Sequence, residues 1–126
     1  MKLKLTILKE KYSIHQFKAK SEVPKQIFES SFYSVSKTSD ELSIVCESRI
    51  KVDSDQSEVD WSCIKVIGPL DFSLTGILAD ISAVLAQNNI SIFAISTFDT
   101  DYVLVKSDKL KKAKESLAKS DYLFVD

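Results

Sequence analysis

Residues 68–106 read GPLDFSLTGILADISAVLAQNNISIFAISTFDTDYVLVK, and the fold follows from how this stretch is parsed. Gly68-Pro69 stops whatever precedes it. Phe72, Leu74, Ile77, Leu78, Ile81, Val84 and Leu85 then recur at spacings of three and four, the period of an amphipathic helix. Asp71 or Ser73 is expected to cap the helix start by accepting hydrogen bonds from free backbone N–H groups. Asn88-Asn89 ends it, asparagine being the usual substitute for glycine in a left-handed cap. A strand is expected over Ile90–Thr97, a turn over Phe98–Thr100, and a strand over Asp101–Lys106.

The flanks complete the pattern. Upstream, Trp61–Ile67 (WSCIKVI) alternates as a strand does. Downstream, Ser107-Asp108 is expected to cap a second helix with Leu110, Ala113 and Leu117 facing inward. Tyr122–Val125 forms a last strand. The order β-α-β-β-α-β is the split βαβ, or ferredoxin-like, unit of the α+β class. Four antiparallel strands would carry both helices on one face.

The first half repeats part of the second. At an offset of sixty, Tyr33–Ile50 (YSVSKTSDELSIVCESRI) falls on Phe93–Leu110 with apolar and polar phases in step. Before this hairpin lie strands Leu3–Leu8 and Tyr12–Phe17 and one helical turn over Pro24–Phe28. After it, the polar stretch Ser48–Val59 reads as a linker. The first copy thus lacks full helices. The expected organisation is a degenerate half over residues 1–59 and a complete unit over 60–126. The eroded half has too little apolar area to fold alone and is expected to share or exchange a strand with the other.

Composition narrows the function. The chain has 126 residues, 44 % apolar and 28 % charged, which are globular values. Seventeen basic and eighteen acidic residues leave a net charge of −1, so nothing points to nucleic acid. The apolar-rich run Leu74–Ala86 is too short and too polar to span a bilayer. The N-terminal MKLKLTILKEKY reads as a strand, not a signal peptide, and a cytoplasmic protein is expected. Cys46 and Cys63 sit in strand patterns and are expected to be buried, reduced thiols. Without a CxxC pair, no metal site is expected. His15 lies on the polar phase of its strand and lacks an evident acid–base partner. Neither a nucleophile elbow nor a phosphate-cradling loop is present, so neither enzymatic activity nor a cofactor is expected.

The segments Gly68–Gly76 with its helix, Asn89–Thr97 and STFDTD, together with FYSVSKTSDELSIVCE, resemble the ACT domain. The resemblance is to small tandem-ACT proteins related to the aspartate kinase regulatory region and to CASTOR-type amino-acid sensors. It implies a non-catalytic regulatory module that binds an amino acid between two ACT units. It further implies a regulated protein partner; a homodimer is expected because a ferredoxin-like sheet leaves one face and two edges open. The ligand would lie against Asp71, Phe72, Ser73, Leu74, Thr75, Gly76 and Ile77 at the helix start. There, unpaired N–H groups and a partial positive charge suit an α-carboxylate. Ser96, Thr97, Phe98, Asp99 and Asp101 would offer oxygen acceptors to the α-ammonium and an aromatic wall. Tyr33, Ser34, Val35 and Ser36 would form the opposite wall. Asp99 is equally read as a turn residue bonding its own backbone. Sensor relatives carry further acidic residues near the helix start, where this chain has Leu74 and Thr75, so arginine specificity does not transfer. The alternative function is a ligand-free structural or interaction module.

Overall fold

A computed structural model describes residues 3–68 and 76–126. They part into two compact units, Met1–Lys9 with Ser62–Asp126, and Glu10–Trp61. Strand β5, Gln56–Val66, contributes to both, changing unit between Trp61 and Ser62.

In the first of these units lie β1 (Leu3–Ile7), the second part of β5, α1 (Ile77–Gln87), β6 (Ile92–Ser96), β7 (Asp101–Lys106), α2 (Leu110–Lys119) and β8 (Tyr122–Phe124). The strand order is β8-β1-β5-β7-β6. The β-α-β-β-α-β order is therefore present, but the four-strand antiparallel sheet gains a fifth member. β1 inserts between β5 and β8, antiparallel to β5 (Leu5↔Val66, Ile7↔Ile64) and parallel to β8 (Leu3↔Tyr122, Leu5↔Phe124). The alternation of Leu3, Leu5 and Ile7 explains the insertion. All three point into the core under the helices, with Ile64, Val66, Ile81, Leu85, Val103, Val105, Ala113 and Leu117. Burying that face outweighs a direct β5–β8 pairing, because stabilisation scales with the apolar area removed from water. A strand from the first half of the sequence thus completes the sheet of the second.

Asn89 ends α1 in the left-handed conformation, with φ 59°, as its dipeptide implied. The caps differ from expectation. Asp71 and Ser73 lie outside the described residues; α1 is described from Ile77, with Gly76 at its N-cap and φ 83°. Ser107-Asp108 does not cap α2. Ser107–Lys109 forms a 3₁₀ turn leading into the helix, without a side-chain cap. The Ser107 hydroxyl is instead bonded to the Ser62 hydroxyl at 2.8 Å. Strand competition for the hydroxyl removes it from the backbone amides it was expected to serve.

The Glu10–Trp61 unit holds β2 (Tyr12–Phe17), β3 (Ser34–Lys37), β4 (Leu42–Glu47) and the first part of β5, in the order β3-β4-β2-β5. The first helix of the repeat is reduced to a 3₁₀ turn, Lys25–Glu29, whose Ile27 is buried. Its core is Phe17, Ile27, Leu42, Ile44, Cys46 and Ile50. The expected linker Ser48–Val59 is only partly one. Gln56–Val59 is strand, paired with β2 through Gln16↔Gln56 and Ile14↔Glu58. Its side chains are all exposed, so no apolar alternation announces it; backbone pairing alone makes it a strand. Between Ile14↔Glu58 and Tyr12↔Trp61 the register shifts. Val59 and Asp60 face one residue there, and Asp60 takes φ 66°, the geometry of a bulge with a left-handed residue. His15 is not on a polar, exposed phase. It is buried, with Nδ1 bonded to the Ser54 hydroxyl at 2.9 Å.

The two hairpins share a turn geometry, at an offset one residue shorter than the sequence match. In one turn, the Thr38 amide donates to the Glu41 carbonyl at 2.9 Å and the Thr38 hydroxyl accepts from the Glu41 amide at 3.1 Å. In the other, Thr97 and Thr100 make the same two bonds at 2.8 and 3.3 Å. Thr38 and Thr97 are fifty-nine positions apart, not sixty. The cores agree, since Ile44 and Cys46 face one helix-side core where Val103 and Val105 face the other. A one-residue slip exchanges the two faces of a strand. Both strands are buried on both faces at this point, so apolar matching alone does not separate the two registers.

Candidate functional site

In the unit that contains α1, three features meet at one end of the sheet. β5 ends at Val66. The chain returns at Gly76 to start α1, and the β6–β7 turn lies beside the end of β5. That last placement rests on one bond: the buried Thr100 hydroxyl donates to the Val66 carbonyl at 2.5 Å.

The turn is closed by threonines. The Thr97 hydroxyl donates to the Thr100 carbonyl at 3.1 Å while accepting from its amide. Asp99 takes no part in this closure and is exposed. Phe98 is 82 % exposed at the tip and is not part of the core. Asp101 begins β7 and is half-buried. Its Oδ1 accepts from the Ser96 hydroxyl at 2.6 Å, across the last Ser96↔Asp101 pair of the hairpin. Oδ2 carries no hydrogen bond among the described residues. A strand-initial aspartate held by one oxygen, beside an exposed aromatic, is equipped to take an ammonium on the other.

At the start of α1, Gly76 is exposed and left-handed, and its carbonyl accepts from the Asp80 amide at 2.8 Å. A Cβ there would meet nothing within 4 Å, but the backbone conformation would strain any other residue. Ile77 is partly buried against the core. The amides of the first turn precede the helical bonding pattern. Asp71, Phe72, Ser73, Leu74 and Thr75 lie outside the described residues.

Tyr33, Ser34, Val35 and Ser36 belong to the Glu10–Trp61 unit. Tyr33 meets Phe28 edge-on, with ring centroids 5.5 Å apart. Ser34–Ser36 pair with Ser43–Val45 in β3, which ends that unit's strand order. Phe28, Tyr33 and Val35 are exposed.

Two polar constructions were not legible in the sequence. Glu47 is 3 % exposed, yet its Oε2 accepts from the Ser31 amide at 2.6 Å and the Ser31 hydroxyl at 2.5 Å. Its Oε1 accepts from Arg49 Nε at 2.6 Å. Burial alone would raise its pKa. The Ser31 and Arg49 interactions outweigh burial and hold it down at about 2. The other is the Tyr122 hydroxyl, which donates to Asp80 at 2.5 Å. Burial and the adjacent carboxylate push that phenol well above its ordinary range. Both are brought about by tertiary pairing of distant residues. Cys46 and Cys63 are buried free thiols; burial pushes Cys63 up to about 12, which makes it a poor nucleophile. Among the described residues, no group of three His, Cys, Asp or Glu could hold a metal ion. No helix among them is long and apolar enough to cross a membrane.

A family model described as ACT domain matches residues 56–119, and a second, describing an N-terminal domain, matches residues 10–53. The crystal structure of protein Atu0741 from Agobacterium tumefaciens is similar over 99 % of this chain and 93 % of that one, at 36 % identity and a TM-score of 0.91. Clostridium acetobutylicum aspartate kinase is similar over 90 % of this chain and 33 % of that one, at 18 % identity and a TM-score of 0.65. The regulatory subunit of aspartate kinase from Thermus thermophilus, in a ligand-free form, is similar over 87 % and 92 %, at 9 % identity and a TM-score of 0.62. The last two share the fold. No curated protein matches the chain.

Proposed function

We propose a function that starts from one premise: this chain belongs to the ACT domain family. It is a non-catalytic module that binds a free amino acid and passes the bound state to a partner. The observation that carries this reading is the anchoring of the STFDTD turn by Thr100 to the end of β5. It sets the Asp101 carboxylate at the end of the sheet from which α1 begins. An α-ammonium would take Asp101 Oδ2. The α-carboxylate would take the first-turn amides of α1, favoured by the helix dipole. Gly76 leaves the backbone open to close approach, and Phe98 would close over the ligand. Leu74 and Thr75, which precede Gly76 in the sequence, favour a neutral or apolar side chain on the ligand. The likeness to a regulatory subunit of aspartate kinase supports a regulatory role.

One observation favours a second reading, in which the chain associates without ligand. Phe28, Tyr33 and Val35 are 57 %, 41 % and 39 % exposed beside the edge strand β3. Exposed apolar patches and unpaired edges mark association surfaces. A homodimer is compatible with either reading. Thermal shift against the twenty amino acids separates them: stabilisation by one or a few supports the binding module, and none supports the association module.

A further inference from the structure

The unit that contains α1 has a cavity of about 380 Å³ on the β1–β8 side of its sheet, lined by Thr6, Ile7, Lys9, Lys114, Phe124, Val125 and Asp126. The turn described above meets β5 from the side of β7 instead. β1 runs antiparallel to β5, and β8 runs with β1. Ile7 lies level with Ile64, and Phe124, through Leu5, level with Val66, so the cavity and the turn are separated across the strands rather than along them. The Leu8 amide donates to Cys63 and the Val125 amide to Leu5 at 2.9 and 2.8 Å, so both walls are tied to the sheet.

The cavity's chemistry is mixed in an ordered way. Ile7 and Phe124 are apolar and pack on the core under the helices. Lys114 holds its ammonium 5.6 Å from the centroid of the Phe124 ring, within cation–π range. Lys9 supplies a second ammonium, and Asp126 one carboxylate. Among the lining side chains, two cations face one anion. The helix that carries Lys114 reads LKKAKESLAK, with four lysines and a single glutamate. Its field adds to the local preference for an anion. The volume falls within the range of small-molecule sites, which pair apolar walls with a few placed polar groups.

We propose that this cavity is a second ligand site, for a small organic monoanion whose carboxylate lies between Lys9 and Lys114 and whose apolar body lies on Ile7 and Phe124. The site is independent of the amino-acid site proposed at the STFDTD turn, and each stands without the other.

The test uses benzoate as the probe and benzamide as its neutral counterpart, followed by amide NMR shifts on the full chain. Benzoate shifts the amides of Thr6, Lys9, Lys114 and Val125 in a saturable way; benzamide does not. Lys114→Met keeps an apolar stem over the ring, removes the charge, and weakens benzoate about tenfold or more, the loss expected for a charge-assisted bond. Lys112→Met removes the same charge from the same helix outside the cavity and leaves affinity within about twofold. Equal weakening by both substitutions would show a diffuse helix field with no site and overturn the proposal. Absence of saturable shifts would overturn it also, as would equal binding of benzamide. Asp101→Asn leaves benzoate binding unchanged, so failure here and failure at the turn are told apart.

Discussion

Glu47→Gln should lose most of its stability cost as the pH is lowered. Glu47 is 3 % exposed and its pKa is held at about 2 against an ordinary 4.5. That lowering corresponds to about 3 kcal/mol, since each tenfold change in proton affinity is about 1.36 kcal/mol. The sign follows from the direction. The folded state binds the proton less well than the unfolded state. The contribution is complete above pH 4.5 and is lost as the pH falls toward 2. Glutamine keeps the shape and one acceptor but cannot carry the charge that Ser31 and Arg49 serve. The substitution should therefore destabilise the chain by about 3 kcal/mol at pH 7, less at pH 4, and little near pH 2.5. Urea unfolding of both proteins across that range, at fixed ionic strength, measures the difference. Arg49 is 55 % exposed, so solvent screens it, and Arg49→Met should destabilise less than Glu47→Gln. A Glu47→Gln penalty that stays constant with pH would refute the reasoning. It would mean that the lost packing or hydrogen-bond geometry, rather than the charge, carries the effect.

Three other substitutions test the framework. Thr100→Val removes the hydroxyl that serves the Val66 carbonyl and should cost about 1–3 kcal/mol by leaving that acceptor unmet; guanidinium unfolding checks it, and a neutral result would detach the turn from the end of β5. Asn89→Gly should raise stability by about 0.5–1 kcal/mol, because Asn89 already sits at φ 59° and glycine adopts that region without strain; a lower melting temperature would contradict the assigned cap. Leu85→Ala empties a fully buried position in the core under α1 and should cost about 2–5 kcal/mol by calorimetry; a cost under 1 kcal/mol would mean that α1 does not cover that core.

The parts of the fold that periodicity can see were legible in the sequence. Ile81 and Leu85 marked the buried face of α1, Ala113 and Leu117 that of α2, and Asn89 the left-handed cap. The missing parts are those decided by distant partners. Nothing in LKLTI says that β1 will lie between β5 and β8; only the pairing of its two edges decides it. Gln56–Val59 carries no apolar signal because all its side chains face water, and the bulge at Asp60 follows from register alone. The likeness of the two hairpins was visible, but their turns match at an offset of fifty-nine, not sixty. Val45 and Leu104 are as buried as their neighbours, and only the Thr38 and Thr97 hydroxyls fix the alignment. In the site, Asp101 stood out as an aspartate opening a strand. The role of Thr100 did not, since its partner, Val66, is thirty-four residues away.

The central claim is that an amino acid binds at the STFDTD turn with its ammonium on Asp101. The most direct measurement is titration calorimetry of the amino acid that most raises the melting temperature, on the parent, Asp101→Asn and Asp40→Asn proteins. At a hundred times the dissociation constant that ligand should add about 2.7 kcal/mol of stability. Asp101→Asn removes a charge-assisted acceptor worth about 1.5–3 kcal/mol and should weaken binding about tenfold or more, with the unliganded melting temperature little changed. Asp40→Asn, in the matching turn of the other hairpin, should leave affinity as it is. Parent-like affinity in Asp101→Asn, with melting lowered by several degrees, would contradict the account and leave Asp101 as a structural residue of the hairpin.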